Sequence, residues 1–187
     1  ASTPVKFFME DRIVAERKLS AILAADVVGF SRLMGDNEER TLKTLTTCRE
    51  IIAAHVLEHQ GRVFGSAGDS VIAEFSSPVE AVRCAVAFQS TLRDRNSSVA
   101  EDRRMTFRVG INLGDVIAEE DNLYGDGVNV AARLEGIAEP GGICISGTTY
   151  DHIKNKLTLE YGELGEQALK NIAEPVAAFS VRLDQEV

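Results

Sequence analysis

The chain has no long apolar run. No segment approaches the roughly 18 consecutive apolar residues that a membrane helix needs, so no membrane contact by this domain is expected. Positive charge is also scarce, with 20 Lys and Arg against 29 Asp and Glu and a formal net charge of −9. A nucleic-acid partner is therefore set aside, because such a surface needs a Lys/Arg stripe to displace phosphate counterions. Any polyanionic ligand would have to be held by a few placed cations and bound metal rather than by the overall field. The three cysteines, Cys48, Cys84 and Cys144, are odd in number, far apart and set in apolar runs. They read as reduced core thiols of a cytoplasmic protein, not as a disulfide framework. The stretch Ala1 to Lys18 lacks the h-region and cleavage site of a secretory signal. No Pro/Gly/Ser-rich segment, charge block or internal repeat divides the 187 residues, which predicts one domain.

What is present is a clear alternation of element signals. Leu19 to Val28 is almost continuously apolar and carries a lone aspartate, Asp26, at its exit, the pattern of a central strand covered on both faces. Asp36 and Asn37 offer an N-cap for a helix whose apolar positions Leu45, Cys48, Ile52 and Val56 run on to Gly61. Arg62 to Gly65 and Ser70 to Phe75 read as a hairpin with Asp69 at its tip. Ser77-Pro78 opens a second helix with Ala81, Cys84, Ala85, Phe88 and Leu92 inward. A second hairpin is expected from Phe107–Leu113 and Val116–Glu119, turning at Gly114-Asp115. A third helix over Gly127–Ala138, a strand over Ile143–Ser146, a short helix over Gly147–Asn155 and strands near Leu157–Tyr161 and Ala178–Leu183 complete the chain. This order predicts an α+β fold with a ferredoxin-like βαββαβ core and extra C-terminal strands.

Asp26 and Asp69 each fall at the end of a strand-like run, where a carboxylate is costly unless something binds it. If the two strand ends are neighbours, the pair makes the oxygen-ligand set that Mg²⁺ prefers when it also holds substrate phosphates; the alternative is that each aspartate simply caps a turn. Val27-Val28-Gly29-Phe30-Ser31 supplies a glycine-relieved turn that can aim backbone N–H groups at phosphate oxygens. Asn129 and Arg133, four apart on the third helix, project from one face. Such a pair can hold a ribose and a transition-state phosphate, or it can be a solvated helix face.

Four stretches in order, Ala24-Ala25-Asp26-Val27-Val28-Gly29-Phe30-Ser31, Gly68-Asp69-Ser70, Phe107-Arg108-Val109-Gly110-Ile111-Asn112 and Tyr124 through Leu134, resemble the successive motifs of the class III adenylyl/guanylyl cyclase catalytic domain of bacteria. The likeness runs from about Arg17 to about Arg182, and implies a catalytic domain over 17–187 behind an N-terminal extension over 1–16. The resemblance implies conversion of ATP, with GTP as the alternative, to a 3′,5′-cyclic nucleotide and pyrophosphate. Asp26 and Asp69 would hold two Mg²⁺ or Mn²⁺ ions per site. Phe30 and Ser31 would offer N–H groups to the phosphates, Arg108 and Lys170 would neutralise them, Asn129 would orient the ribose and Arg133 would stabilise the transition state. It further implies a head-to-tail homodimer whose sites are shared between protomers.

The sequence departs from the family where the base is read. Adenylyl cyclases commonly carry Lys four residues before the second metal aspartate and Asp seven before the transition-state Asn; here those positions are Gly65 and Asn122. Guanylyl cyclases usually have Glu and a small Cys-like residue there, which this chain also lacks. A cyclase-like domain that binds nucleotide with little turnover, or a cyclase of relaxed ATP/GTP selectivity, is the alternative these positions raise. Elsewhere, His55-Val56-Leu57-Glu58-His59 spells the H-x-x-E-H pattern of inverted zinc peptidases, but His152 is distant and no other peptidase motif occurs, so that activity is set aside. Gly65-Ser66-Ala67-Gly68 and Gly125-Asp126-Gly127 complete neither a Rossmann nor a Walker pattern.

Overall fold

The computed structural model describes residues 15–65 and 67–183; the expected N-terminal extension lies outside them except for Ala15 and Glu16. The elements are β1 (Glu16–Val27), α1 (Phe30–Asp36), α2 (Glu38–Glu58), β2 (Arg62–Gly65), β3 (Val71–Phe75), α3 (Pro78–Asn96), β4 (Phe107–Glu119), β5 (Asn122–Tyr124), α4 (Asp126–Ile137), β6 (Ile143–Ser146), α5 (Gly147–Ile153), β7 (Glu160–Gln167) and β8 (Val176–Arg182). The strands form one sheet in the order β2-β3-β1-β4-β6-β8-β7, with β5 paired to β4. Its β2-β3-β1-β4 part, with α2 and α3 as crossovers, is the expected ferredoxin-like unit, and β6, β7 and β8 are the extra strands.

Strand β1 is apolar on both faces because both are covered. Ala21, Leu23, Ala25 and Val27 pack with the inner stripes of α2 and α3, including Leu45, Cys48, Ile52, Cys84 and Phe88. The alternate residues Ile22 and Ala24 pack instead with Val116 and with Ala131 of α4. Asp26 continues this second set and faces the α4 side. Asn37 caps α2 by accepting from the Arg40 N–H (2.9 Å), and Ser77 caps α3 by accepting from Glu80 N–H (3.3 Å), as their positions ahead of the periodic runs predict. All three cysteines are free and buried, in agreement with their reading as core residues.

Two expectations are corrected. Gly114-Asp115 is not a hairpin turn: β4 runs unbroken, with Gly114 opposite Ser20 and Asp115 opposite Leu19. Gly114 is needed for room, since a Cβ there would lie 3.3 Å from Gly127 Cα and 2.9 Å from Asn112 Nδ2. The turn comes later, before Asn122, where β5 folds back onto β4. Strand β7 starts at Glu160, beyond the expected Leu157, because Leu157 and Leu159 pack into the main core as loop residues while the polar segment after them pairs with β8. The helix α1 was also not anticipated; it begins immediately after Gly29, whose φ of +64° is a left-handed conformation that glycine adopts without strain. Among the described residues no helix is long and apolar enough to cross a membrane.

Candidate active site

Asp26 is the penultimate residue of β1, and Asp69 sits in the β2–β3 turn. Although far apart in sequence, they meet at one end of the sheet: the backbone N–H of Val27 donates to Asp69 Oδ2 (3.0 Å). Both carboxylates are half-buried. The turn that carries Asp69 is shaped by Gly68 at φ +59°, and Arg49 of α2 donates to the Gly68 carbonyl oxygen. Arg108 of β4 is the cross-strand partner of Asp26, which brings its guanidinium to the same face. Its Nε is buried and has no hydrogen-bond partner among the described residues. Phe30 and Ser31 occupy the first turn of α1, where backbone N–H groups lack an intrahelical acceptor.

One acid at this end escaped the sequence reading. Glu135 of α4 hydrogen-bonds to Asp26, and its carboxyl is pushed up to about 9 by burial first and then by the hydrogen bond and charge of Asp26; Arg108 opposes the shift and Asp69 adds to it. The close approach is made possible by Gly110, where any Cβ would collide with the Ala131 carbonyl and the Glu135 backbone. A signal did exist. Glu135 lies four residues after buried Ala131 and three before buried Ala138, so it occupies an inward position of the helix although it is an acid. Three carboxyls near one half-buried arginine need either a proton or a cation among them, and an all-oxygen donor set of this kind suits Mg²⁺ or Mn²⁺.

The other predicted residues lie elsewhere. Asn129 and Arg133 are exposed on α4, and Arg133 Nε donates to the backbone carbonyl of Lys170 (3.0 Å), whose own side chain is exposed. At about 100° per residue, Arg133 points roughly 160° and Asn129 roughly 120° away from Glu135 around the helix. Within one chain, therefore, the Asn/Arg pair faces away from the carboxylates. Gly65 ends β2 and Asn122 begins β5; both are exposed, and β2 and β5 approach one another. The structure thus gathers Asp26, Asp69 and Arg108 in one place and Asn129, Arg133 and Lys170 in another.

Residues 15–181 match the family model described as the adenylate and guanylate cyclase catalytic domain. The chain belongs to that family. It is 46% identical over 162 residues to the protein named putative adenylate cyclase 3 of Rhizobium meliloti (strain 1021), which covers 86% of this chain but only 27% of that relative's length. In structure it is similar to the adenylate/guanylate cyclase/hydrolase from Silicibacter pomeroyi, with a TM-score of 0.86, 38% identity and coverage of 91% of this chain and 100% of that one. The adenylyl cyclase CyaB from P. aeruginosa superposes with a TM-score of 0.80 at 25% identity, covering 92% and 97% of the two chains. In this cyclase domain Gly65 has open space where a side chain would project, with no atom within 4 Å of an added Cβ. Asn122 pairs with Glu119 at the sheet margin.

Proposed function

We propose that this cyclase domain closes ATP into 3′,5′-cyclic AMP with release of pyrophosphate, at sites formed between two head-to-tail copies in the cytoplasm. The observation that carries the reading is the Val27–Asp69 hydrogen bond, which holds two carboxylates from distant parts of the chain at one strand end. Asp26 and Asp69 would hold the Mg²⁺ or Mn²⁺ ions, which when bound supply Lewis acidity for the ribose 3′-hydroxyl and countercharge for the triphosphate. The N–H groups of Phe30 and Ser31 bind phosphate oxygens, and the Arg108 guanidinium, whose buried Nε has no hydrogen-bond partner among the described residues, binds the triphosphate beside them. From the second copy, Asn129 orients the ribose, Arg133 stabilises charge at the α-phosphate as the 3′-oxygen displaces pyrophosphate, and Lys170 neutralises the departing phosphates. The outward aim of the Asn/Arg pair in a single chain supports a shared site.

A second reading rests on Gly65. With no side chain at Gly65 and a neutral amide at Asn122, the base pocket lacks a fixed polarity, so ATP is favoured only weakly over GTP. The test is incubation of the purified chain with ATP or GTP and Mn²⁺ or Mg²⁺, with chemical identification of the product. Cyclic AMP is expected, with some cyclic GMP. Formation of neither nucleotide at any protein concentration overturns the enzymatic reading.

A further inference from the structure

The helix layer opposite α4 carries a second cluster of ligating side chains that the proposed cyclase site does not use. At the end of α2, His55, Glu58 and the C-cap residue His59 each offer a ligand atom, and these atoms lie within 4.8 Å of one another. The spacing i, i+3, i+4 places all three on one helix face. Each imidazole is already oriented by a group of α3 acting on one of its nitrogens. His55 Nε2 is 3.0 Å from Thr91 Oγ1, and His59 Nδ1 is 3.0 Å from Glu80 Oε2. That leaves His55 Nδ1, which is buried with no hydrogen-bond partner among the described residues and lies 3.6 Å from Glu58 Oε2. An imidazole with one nitrogen held by a carboxylate or hydroxyl and the other free is the arrangement that tunes and aims a metal-binding histidine.

The electrostatics favour a cation as well. Glu58 and Glu80 both lie at this point, and the cation Arg83 is bonded to Glu80 alone of the two, at 3.0 Å. The buried Cys84 thiol nearby is pushed up to about 12 by burial first and then by the Glu58 and Glu80 charges. The C-terminal end of α2 adds the negative end of the helix dipole. Two neutral imidazoles and one carboxylate, with a fourth position open to water, suit a borderline-soft dication such as Zn²⁺ far better than Mg²⁺.

We propose that His55, Glu58 and His59 bind one Zn²⁺-class divalent cation per chain, with Glu80 and Thr91 as the outer groups that orient the two imidazoles. The ion sits at the end of α2 just before the chain enters β2, the strand leading to Asp69, and α3 contributes only the groups that orient the imidazoles. No peptidase chemistry is implied, because the same Glu that such enzymes use as a base is here a ligand.

The test is calorimetric titration of Zn²⁺ into the chain carrying Asp26→Ala and Asp69→Ala, which removes the carboxylates assigned to catalysis. One equivalent per chain is expected, with a rise in Tm on binding. Glu58→Gln, a change at a side chain 71% exposed that leaves packing intact, and His59→Gln should each weaken binding by at least about tenfold, and Glu80→Gln by roughly 10–100-fold. Circular dichroism reports whether each variant is folded. Absence of stoichiometric Zn²⁺ binding, or binding that Glu58→Gln leaves unchanged in a folded protein, overturns the proposal, whatever the outcome of the cyclase assay.

Discussion

The sheet end at Asp26 and the outer face of α4 are built in opposite ways. At the first, polar groups are half-buried and tied to one another: Val27 N–H to Asp69, Glu135 to Asp26, Arg108 across from Asp26. On the second, Asn129 stands in solvent and Arg133 Nε donates to a backbone carbonyl. A preformed, crowded acidic end is suited to holding cations that supply charge balance, whereas exposed side chains without mutual support acquire geometry when something docks on them. The difference is that one chain gathers the carboxylates at the sheet end and turns the Asn/Arg pair away from them, which is the ground on which a site shared between two copies is proposed.

The largest effect expected from breaking this comparison is at the acidic end. Asp26→Ala or Asp69→Ala should lower cyclisation by more than about 100-fold, beyond what loss of an outer-shell partner costs a metal site, while circular dichroism stays unchanged. Wild-type turnover with Mn²⁺ in either variant would remove these residues from the metal assignment.

On the outer face, Arg133→Ala should reduce kcat by roughly 10²–10³-fold, the usual consequence of losing one transition-state donor. Mixing it with Asp26→Ala protein should restore up to about a quarter of wild-type activity, since random pairing makes half the dimers mixed and each of those has one intact site. No recovery under conditions where subunits exchange contradicts the head-to-tail arrangement.

A smaller change is expected from sharpening the base pocket. Gly65→Lys with Asn122→Asp should raise the ATP/GTP ratio of kcat/KM by about tenfold or more, and the open space at Gly65 means the Lys can be placed without a clash. An unchanged ratio moves base reading to other residues.

The smallest effect is a pH dependence of stability. Glu135 has its carboxyl raised to about 9, so the folded form keeps a proton that the unfolded chain releases near the ordinary carboxylate value of 4.5. The stability it contributes is complete below that ordinary value and is lost as pH rises toward 9. Glu135→Gln cannot ionise, so its Tm should fall less than that of the wild type between about pH 5 and about pH 9. Parallel Tm curves would show that Glu135 is ionised in the folded protein.

Much of the fold was legible because it rests on local signals. The caps at Asn37 and Ser77, the unbroken apolar run of β1 and the inward stripe of α3 are written within a few turns of chain. The hairpin at Gly114-Asp115 was misread because glycine serves turns and close approaches alike, and only the packing of α4 over β4 tells which is meant. The late start of β7 was missed for a related reason, since its polar residues gain strand structure from pairing with β8 and carry little pattern of their own.

The sequence by itself determined the element types, the two-faced burial of β1 and, through its ordered motifs, the cyclase family. Periodicity and capping are local properties, and motif order survives without coordinates. Only the tertiary structure decided that Val27 holds Asp69 beside Asp26, that Glu135 crowds that pair, and that Asn129 and Arg133 face away from it. Those relations depend on strand register and on the rotation of α4 against the sheet. Both are set by long-range packing, in which residues distant in the chain share one buried volume.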